Sequence, residues 1–293
     1  MIYNFTEQQK NKINEHWGDD GDFYRILHYT LEVVTEKWKL YDLEFGEYYS
    51  CNAVFFCKSE LYGDCVLKIN RDGAAEPRNT YNAMNEDNGN RCVRVFENDE
   101  WGALLVERAV PGKLLSDKPL EKRLAVFSEL FNGRHIAPEK PENFDTYKWD
   151  SDGRLLDRRK NNKELYSHAL KAKEIYQKMA SVYDRRLLIH TDLTTENIAS
   201  CGGGKYKIVD PFMTVIGDPV FETGKFIFVE CCFHSIEPEK AEIVLDYLEK
   251  SLNIPSMILT QCLYLEAMPM GEHHSEYDIK RLKFVESLMN KRN

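Results

Sequence analysis

The chain has 293 residues, 43% of them hydrophobic and 12% aromatic, with a formal net charge of −9. That length suits two lobes or domains of an ordinary globular protein, and the acidic balance excludes non-specific nucleic-acid binding through a basic face. No uncharged apolar run approaches the roughly 18 residues of a membrane span, and the N-terminus lacks the basic and apolar stretches of a secretory leader, so a cytoplasmic protein is expected.

From the N-terminus, Phe23, Ile26, Leu27, Leu31 and Val34 recur at helical spacing and predict a helix with one buried stripe. Asp19, Asp20 and Asp22 around Gly21 fit its start, since carboxylates favour a helix N-terminus. They also suggest an acidic calcium loop, but the spacing and closing glutamate of an EF-hand are missing. From Tyr41 the pattern turns β-like. Val54–Cys57 and Cys65–Ile69, joined near Tyr62-Gly63-Asp64, predict a hairpin, and Cys92–Phe96 with Trp101–Arg108 predict a second. The eight cysteines include no C-x-x-C pair, and several lie in these apolar runs, so they read as reduced core thiols and not as zinc ligands.

Beyond Pro111-Gly112 the chain reads as mostly helical. One helix starts at Asp117 with Pro119 in its first turn and ends by Gly133; a second runs from about Lys163 to Tyr183. Residues 134–162, charged and interrupted by prolines, read as a long surface excursion. Apolar spacings at Ile243, Val244, Tyr247 and Leu248, and at Ile279, Leu282, Val285 and Met289, predict further core helices.

The stretch His190–Pro219, H-T-D-L-T-T-E-N-I-A-S-C-G-G-G-K-Y-K-I-V-D-P-F-M-T-V-I-G-D-P, is the most informative. Leu187–Ile189 and Tyr206–Val209 are short enough to be buried strands, and Gly202-Gly203-Gly204 supplies a hairpin turn between Ile198–Ser200 and Lys205-Tyr206. Asp192, Asn197 and Asp210 are then expected to lie close together. Two carboxylates and an amide oxygen form the hard donor set that Mg²⁺ prefers, and phosphoryl transfer needs that set plus a carboxylate to accept a hydroxyl proton. Singly, each of these residues fits a capped turn; the ordered set between strands is what points to chemistry.

The spacing H-x-D-x-x-x-x-N, followed by a strand ending in Asp, resembles the catalytic and metal-binding segments of protein-kinase-like phosphotransferases. More narrowly, the stretch resembles the aminoglycoside phosphotransferase superfamily, in particular its streptomycin and hydroxyurea kinase branch. It departs from the family at Thr191, where glycine is usual, and at Thr194. The resemblance spans roughly residues 43–225 and implies an α+β, two-lobed kinase-like fold. Residues 1–108 would form a mainly β nucleotide-binding lobe and residues 109–293 a helical lobe carrying the catalytic loop and acceptor site.

The activity implied is ATP- and Mg²⁺-dependent phosphorylation of a hydroxyl on a small molecule, first an aminoglycoside-type antibiotic. By the resemblance Asp192 is the catalytic base, and Asn197 and Asp210 hold Mg²⁺. Lys68 of Val66-Leu67-Lys68-Ile69 contacts the phosphates, oriented by Glu76. Ser50 lies in a phosphate-covering segment, Glu44–Asn52, that keeps a single glycine. Glu107 belongs to the linker Leu105–Ala109, whose backbone would hydrogen-bond adenine. His190 would brace the loop and Asp218 the turn before the next helix. Of the acids beyond the loop, Glu222, Glu230, Glu266, Glu272, Glu276 and Asp278, most read as solvated helix faces, with Glu266 and Glu272 the first candidates to hold a cationic acceptor. The alternatives are a choline-like or sugar metabolite kinase and a catalytically silent nucleotide-binding module. A metal-dependent hydrolase is disfavoured by the scarcity of histidines.

Overall fold

A computed structural model describes residues 3–17, 22–46, 52–70, 75–270 and 275–292. The chain divides into two compact units, residues 1–112 with 201–203, and residues 113–200 with 204–293.

The first unit opens with helices α1 (Glu7–Trp17) and α2 (Asp22–Lys37) and continues into strands β1 (Leu40–Phe45), β2 (Asn52–Ser59) and β3 (Gly63–Asn70). Helix α3 (Ala75–Asp87) and strands β4 (Val95–Asn98) and β5 (Ala103–Glu107) complete it. The five strands form one antiparallel sheet in the order β1-β2-β3-β5-β4. Both predicted hairpins are present as β2–β3 and β4–β5.

The period of two along β2 and β3 puts Ala53, Phe55, Cys57, Cys65, Leu67 and Ile69 on one face. There they meet Phe23, Leu27, Leu31 and Val34, four of the five residues α2 was expected to bury, and Trp38 just past its end; Ile26, the fifth, is exposed. Each fully buried side chain of this size is worth about 1.5–3 kcal/mol, which holds α2 against the sheet. Cys57 and Cys65 face each other across β2 and β3 without a disulfide. Burial pushes their thiols up to about 12 and about 11, as expected of inert core residues.

The second unit contains α4 (Leu120–Phe131), the short α5 (Leu155–Arg159) and α6 (Lys163–Ala180). Strands β6 (Leu187–His190), β7 (Ile198–Ser200), β8 (Tyr206–Ile208) and β9 (Thr214–Gly217) follow, then helices α7 (Glu222–Cys231), α8 (Pro238–Leu252), α9 (Ser256–Ala267) and α10 (Glu276–Arg292). Pro119 precedes α4 instead of lying inside it, because Asp117 closes a separate short 3₁₀ turn, Leu115–Asp117. Gly133, at φ +68°, takes the left-handed conformation just past the helix end. Helix α6 begins where Asn162 accepts the Leu165 N–H and ends at Ala180, short of the expected Tyr183.

The expected surface excursion at residues 134–162 is instead anchored to the unit. Trp149 is buried and its Nε1–H donates to the Leu265 carbonyl at 3.0 Å, while Phe144, Leu155 and the whole of Arg159 are also buried. Charge density in the sequence concealed this, since a few large anchors decide the path of a segment that is otherwise polar. At the centre of the helical core, Phe127 of α4 stacks on Phe226 of α7 with ring centroids 3.9 Å apart. No helix among the described residues is long and apolar enough to cross a membrane.

Candidate active site

Two strand pairs frame the His190–Pro219 stretch. Strand β7 pairs with β8, Ile198 opposite Ile208, through the triple-glycine turn, in which Gly202, Gly203 and Gly204 all have positive φ. Strand β6 pairs with β9, a strand the sequence reading did not pick out, with His190 opposite Thr214. These pairings place the end of β6 and the residues after β8 side by side.

His190 ties the two loops together. It is buried, its Nδ1 accepts the Asp192 N–H at 3.1 Å, and its Nε2–H donates to the Asp210 carbonyl at 2.8 Å. Accepting at one nitrogen and donating at the other requires the neutral imidazole. Burial favours that form too, and holds the His190 pKa below its ordinary value against the pull of Glu222, Asp192 and Asp210.

Asn197 completes the constellation. Its Nδ2 donates to the Asp192 carbonyl at 2.9 Å, and its own carbonyl accepts from Val209, the residue before Asp210, at 2.9 Å. Asp192, Asn197 and Asp210 are thus brought together as the spacing predicted. Spending Nδ2 on Asp192 turns the amide so that Oδ1 is the atom offered for coordination. Asn197 Oδ1 and the Asp210 carboxylate are both hard oxygen donors of the kind that magnesium prefers.

Thr191 does not demand the glycine usual at its position. Its φ is not positive, and both its N–H and its hydroxyl donate to the Met213 carbonyl, at 3.2 and 2.9 Å. The positive φ in this turn falls at Met213 instead, at +66°.

The acids beyond the loop divide sharply. Glu222 is fully buried and accepts from the His190 N–H at 2.9 Å while meeting His135 Nε2 at 2.5 Å. Glu230 is buried against the Arg123 guanidinium, two nitrogens to two oxygens at 2.8 and 2.7 Å. Neither is a solvated helix face: each is matched by a cation or donor from a distant segment, which no local pattern reveals. Glu276 is exposed, and Asp278 is engaged by Ser275 and Arg281.

Asp218 caps the next turn by accepting the Val220 N–H at 3.0 Å and takes a two-point ion pair from Arg185. Burial alone would raise its carboxyl, but Arg185 and the Val220 N–H outweigh that and hold it below the usual carboxylate range.

Glu266 behaves differently. It lies on α9, partly buried, and burial pushes its carboxyl up to about 7; nearby Lys225 opposes that rise and nearby Asp192 adds to it. Lys225, which no sequence motif marked, puts its Nζ 3.0 Å from Asp192 Oδ1. The sole signal in the sequence was a lone cation inside the apolar helix E-T-G-K-F-I-F-V-E-C.

The remaining expected residues belong to the first unit or fall outside the described residues. Lys68 sits on β3 opposite Val54 and Leu104, partly buried on the face away from the Phe55–Leu67 core. Glu107 closes β5; its N–H donates to the Arg94 carbonyl at 2.8 Å and its carboxylate accepts the Arg94 N–H at 3.0 Å. The Arg108 N–H is likewise taken, by the Asp64 carbonyl. Any adenine contact from this linker therefore uses other backbone groups. Glu76 lies in the first turn of α3, with its side chain outside the described part of the structure, and Ser50 and Glu272 lie outside the described residues altogether.

No protein-family model and no curated protein matches the chain. Solved structures do. Choline kinase LicA from Streptococcus pneumoniae is 13% identical with a TM-score of 0.58, over 91% of this chain and 99% of that one. A thermostable variant of aminoglycoside phosphotransferase APH(4)-Ia, solved with AMP-PNP and hygromycin B, is 15% identical with a TM-score of 0.60, over 88% of this chain and 97% of that one. A choline/ethanolamine kinase family protein from Mesorhizobium loti is 14% identical with a TM-score of 0.55, over 90% and 95%. The chain has the fold of these kinases. The kinase-like α+β architecture expected from the H-x-D-x-x-x-x-N stretch is therefore present over most of the chain.

Proposed function

We propose that the protein is an ATP- and Mg²⁺-dependent kinase that phosphorylates a hydroxyl of a small cationic molecule. The observation that carries the reading is the His190 bridge, which fixes Asp192 and Asp210 relative to each other while Asn197 is bonded to Asp192. Asp192 accepts the proton of the acceptor hydroxyl. Asn197 Oδ1 and the Asp210 carboxylate would hold Mg²⁺, which when bound neutralises charge on the nucleotide phosphates. Lys68 and Glu76 would position those phosphates. The fold shared with kinases solved with AMP-PNP supports the nucleotide.

Two acceptor classes fit a cation-binding site: an aminoglycoside-type antibiotic, which would make the protein a resistance enzyme, and a choline-like metabolite. Glu222 and Glu230 are committed to interior partners, which leaves Glu266 as the acid electrostatically coupled to Asp192 among the described residues. One carboxyl matches one ammonium better than a polyamine, and this favours the choline-like acceptor as a second reading.

The test is phosphate transfer from ATP across a panel of aminoglycosides, choline-like alcohols and sugars, with Asp192→Asn as the control. Asp192→Asn keeps the side-chain shape but removes the proton acceptor. Turnover on the accepted substrate is expected to fall by about 10²-fold or more with nucleotide binding retained. Transfer to no acceptor, with nucleotide still bound, would favour a silent nucleotide-binding module.

A further inference from the structure

The Asp192 backbone is held at both ends, its N–H donating to His190 Nδ1 and its carbonyl accepting from Asn197 Nδ2, while its carboxylate meets Lys225, whose Nζ lies 3.0 Å from Oδ1. The side chains are 29% and 43% exposed, so this is neither a buried ion pair nor a fully solvated one. At that exposure an ion pair adds only about 0–1 kcal/mol to stability, while ordering a lysine costs up to about 2 kcal/mol of side-chain freedom. Stability therefore does not explain why the pair is there.

Its setting on α7 is specific. Lys225 is flanked by buried residues, Thr223 and Gly224 before it and Phe226 and Ile227 after it, so the helix cannot turn the lysine elsewhere without exposing its core stripe. Gly224 brings α7 against α9: a Cβ there would lie 2.7 Å from the Cys262 carbonyl oxygen and 2.9 Å from Glu266 Cγ. Other cations bound to acids in this region, Arg185 on Asp218 and Arg123 and Lys240 on Glu230, have their own buried partners.

Resting on the kinase reading above, we propose that Lys225 is a positioning residue for Asp192. Its ammonium takes Oδ1 and thereby presents Oδ2 to the acceptor hydroxyl. In the transfer step the hydroxyl oxygen bonds to the γ-phosphorus as the bond to the departing ADP oxygen breaks, and the hydroxyl proton passes to Oδ2. Without the ammonium the carboxylate rotates about its χ2 bond, and the oxygen facing the hydroxyl is no longer fixed. Misplacing a proton acceptor in this way acts on turnover and not on nucleotide binding.

The experiment compares Lys225→Met, Lys225→Arg and the wild-type chain by steady-state kinetics on the accepted substrate, urea unfolding, and crystal structures. Lys225→Met is expected to lower kcat by about 10-fold or more with the KM for ATP and the unfolding midpoint unchanged, and Lys225→Arg to recover much of the loss. In the crystal structures the Asp192 carboxylate should keep one orientation in the wild type and leave it in Lys225→Met. Unchanged kcat in Lys225→Met, or a loss that follows a drop in the unfolding midpoint and that Lys225→Arg does not recover, would overturn the proposal. So would an Asp192 carboxylate that keeps the same orientation in both structures. If the wild type transfers phosphate to nothing while the carboxylate orientation still depends on Lys225, the positioning role stands and the kinase reading fails.

Discussion

Replacing Gly224 with alanine tests the packing on which the candidate site rests. In isolation Gly224→Ala should stabilise α7, since alanine is favoured over glycine inside a helix by about 0.5–1 kcal/mol. The structure opposes that gain. The new methyl group would sit 2.7 Å from the backbone oxygen of Cys262, and a backbone atom, unlike the end of a flexible side chain, cannot swing aside. Helices α7 and α9 must separate, and a gap of about 0.5–1 Å forfeits a quarter to a half of each dispersion contact across it. The neighbouring Phe226 and Ile227, both fully buried, would loosen with it. Overpacking of this kind costs about 1–3 kcal/mol, so the net expectation is a loss of about 1–2 kcal/mol. For a unit of this size that lowers the melting temperature by about 2–8 °C in scanning calorimetry. Turnover should fall as well, because the same shift moves Lys225 away from Asp192. A variant as stable as the wild type, or more stable by the helix-propensity gain, would refute the close approach of α7 to α9.

Three further outcomes follow from the site. Asp210→Ala removes a hard oxygen donor and is expected to weaken Mg·ATP binding; a magnesium dependence unchanged in calorimetry would remove Asp210 from the metal site. Glu266 has a folded pKa of about 7 against an ordinary 4.5, so the fold favours its protonated form: its contribution to stability is present below 4.5 and is lost as pH rises to about 7. Glu266→Gln does not titrate, so its stability relative to the wild type should improve between pH 5 and pH 8 in urea unfolding, and a pH-independent difference would show that the carboxyl is not desolvated. If Glu266 holds a cationic acceptor, binding should weaken from low to physiological salt as screening shortens to about 8–10 Å, and Glu266→Gln should flatten that dependence in a titration series; binding indifferent to both would point to a neutral acceptor.

Local signals carried much of the architecture. Alternation through Val54–Ile69 and the glycine triplet at 202–204 encode hairpins because a period of two and positive φ are properties of a few consecutive residues. The spacing from His190 to Asn197, and Asp210 placed just past a short strand, brought Asp192, Asn197 and Asp210 together for the same reason: β7 and β8 are joined by a short turn, so chain proximity becomes spatial proximity.

What the sequence could not supply is everything that depends on which distant segment arrives opposite. Trp149 and Arg159 anchor a stretch whose charges read as surface, because burial is decided by the partner and not by the residue. Glu222 and Glu230 look like any helix carboxylates until His135 and Arg123, 87 and 107 residues earlier in the chain, meet them. The lysine on Asp192 comes from α7, 33 residues beyond it, and Glu266 reaches the same place from α9 only because Gly224 has no side chain to hold the helices apart. The sequence determined the chemical groups of the candidate loop at His190–Asn197 and their order; the packing of α7 on α9 decided which charges surround them, since electrostatic neighbours are set by distance through space.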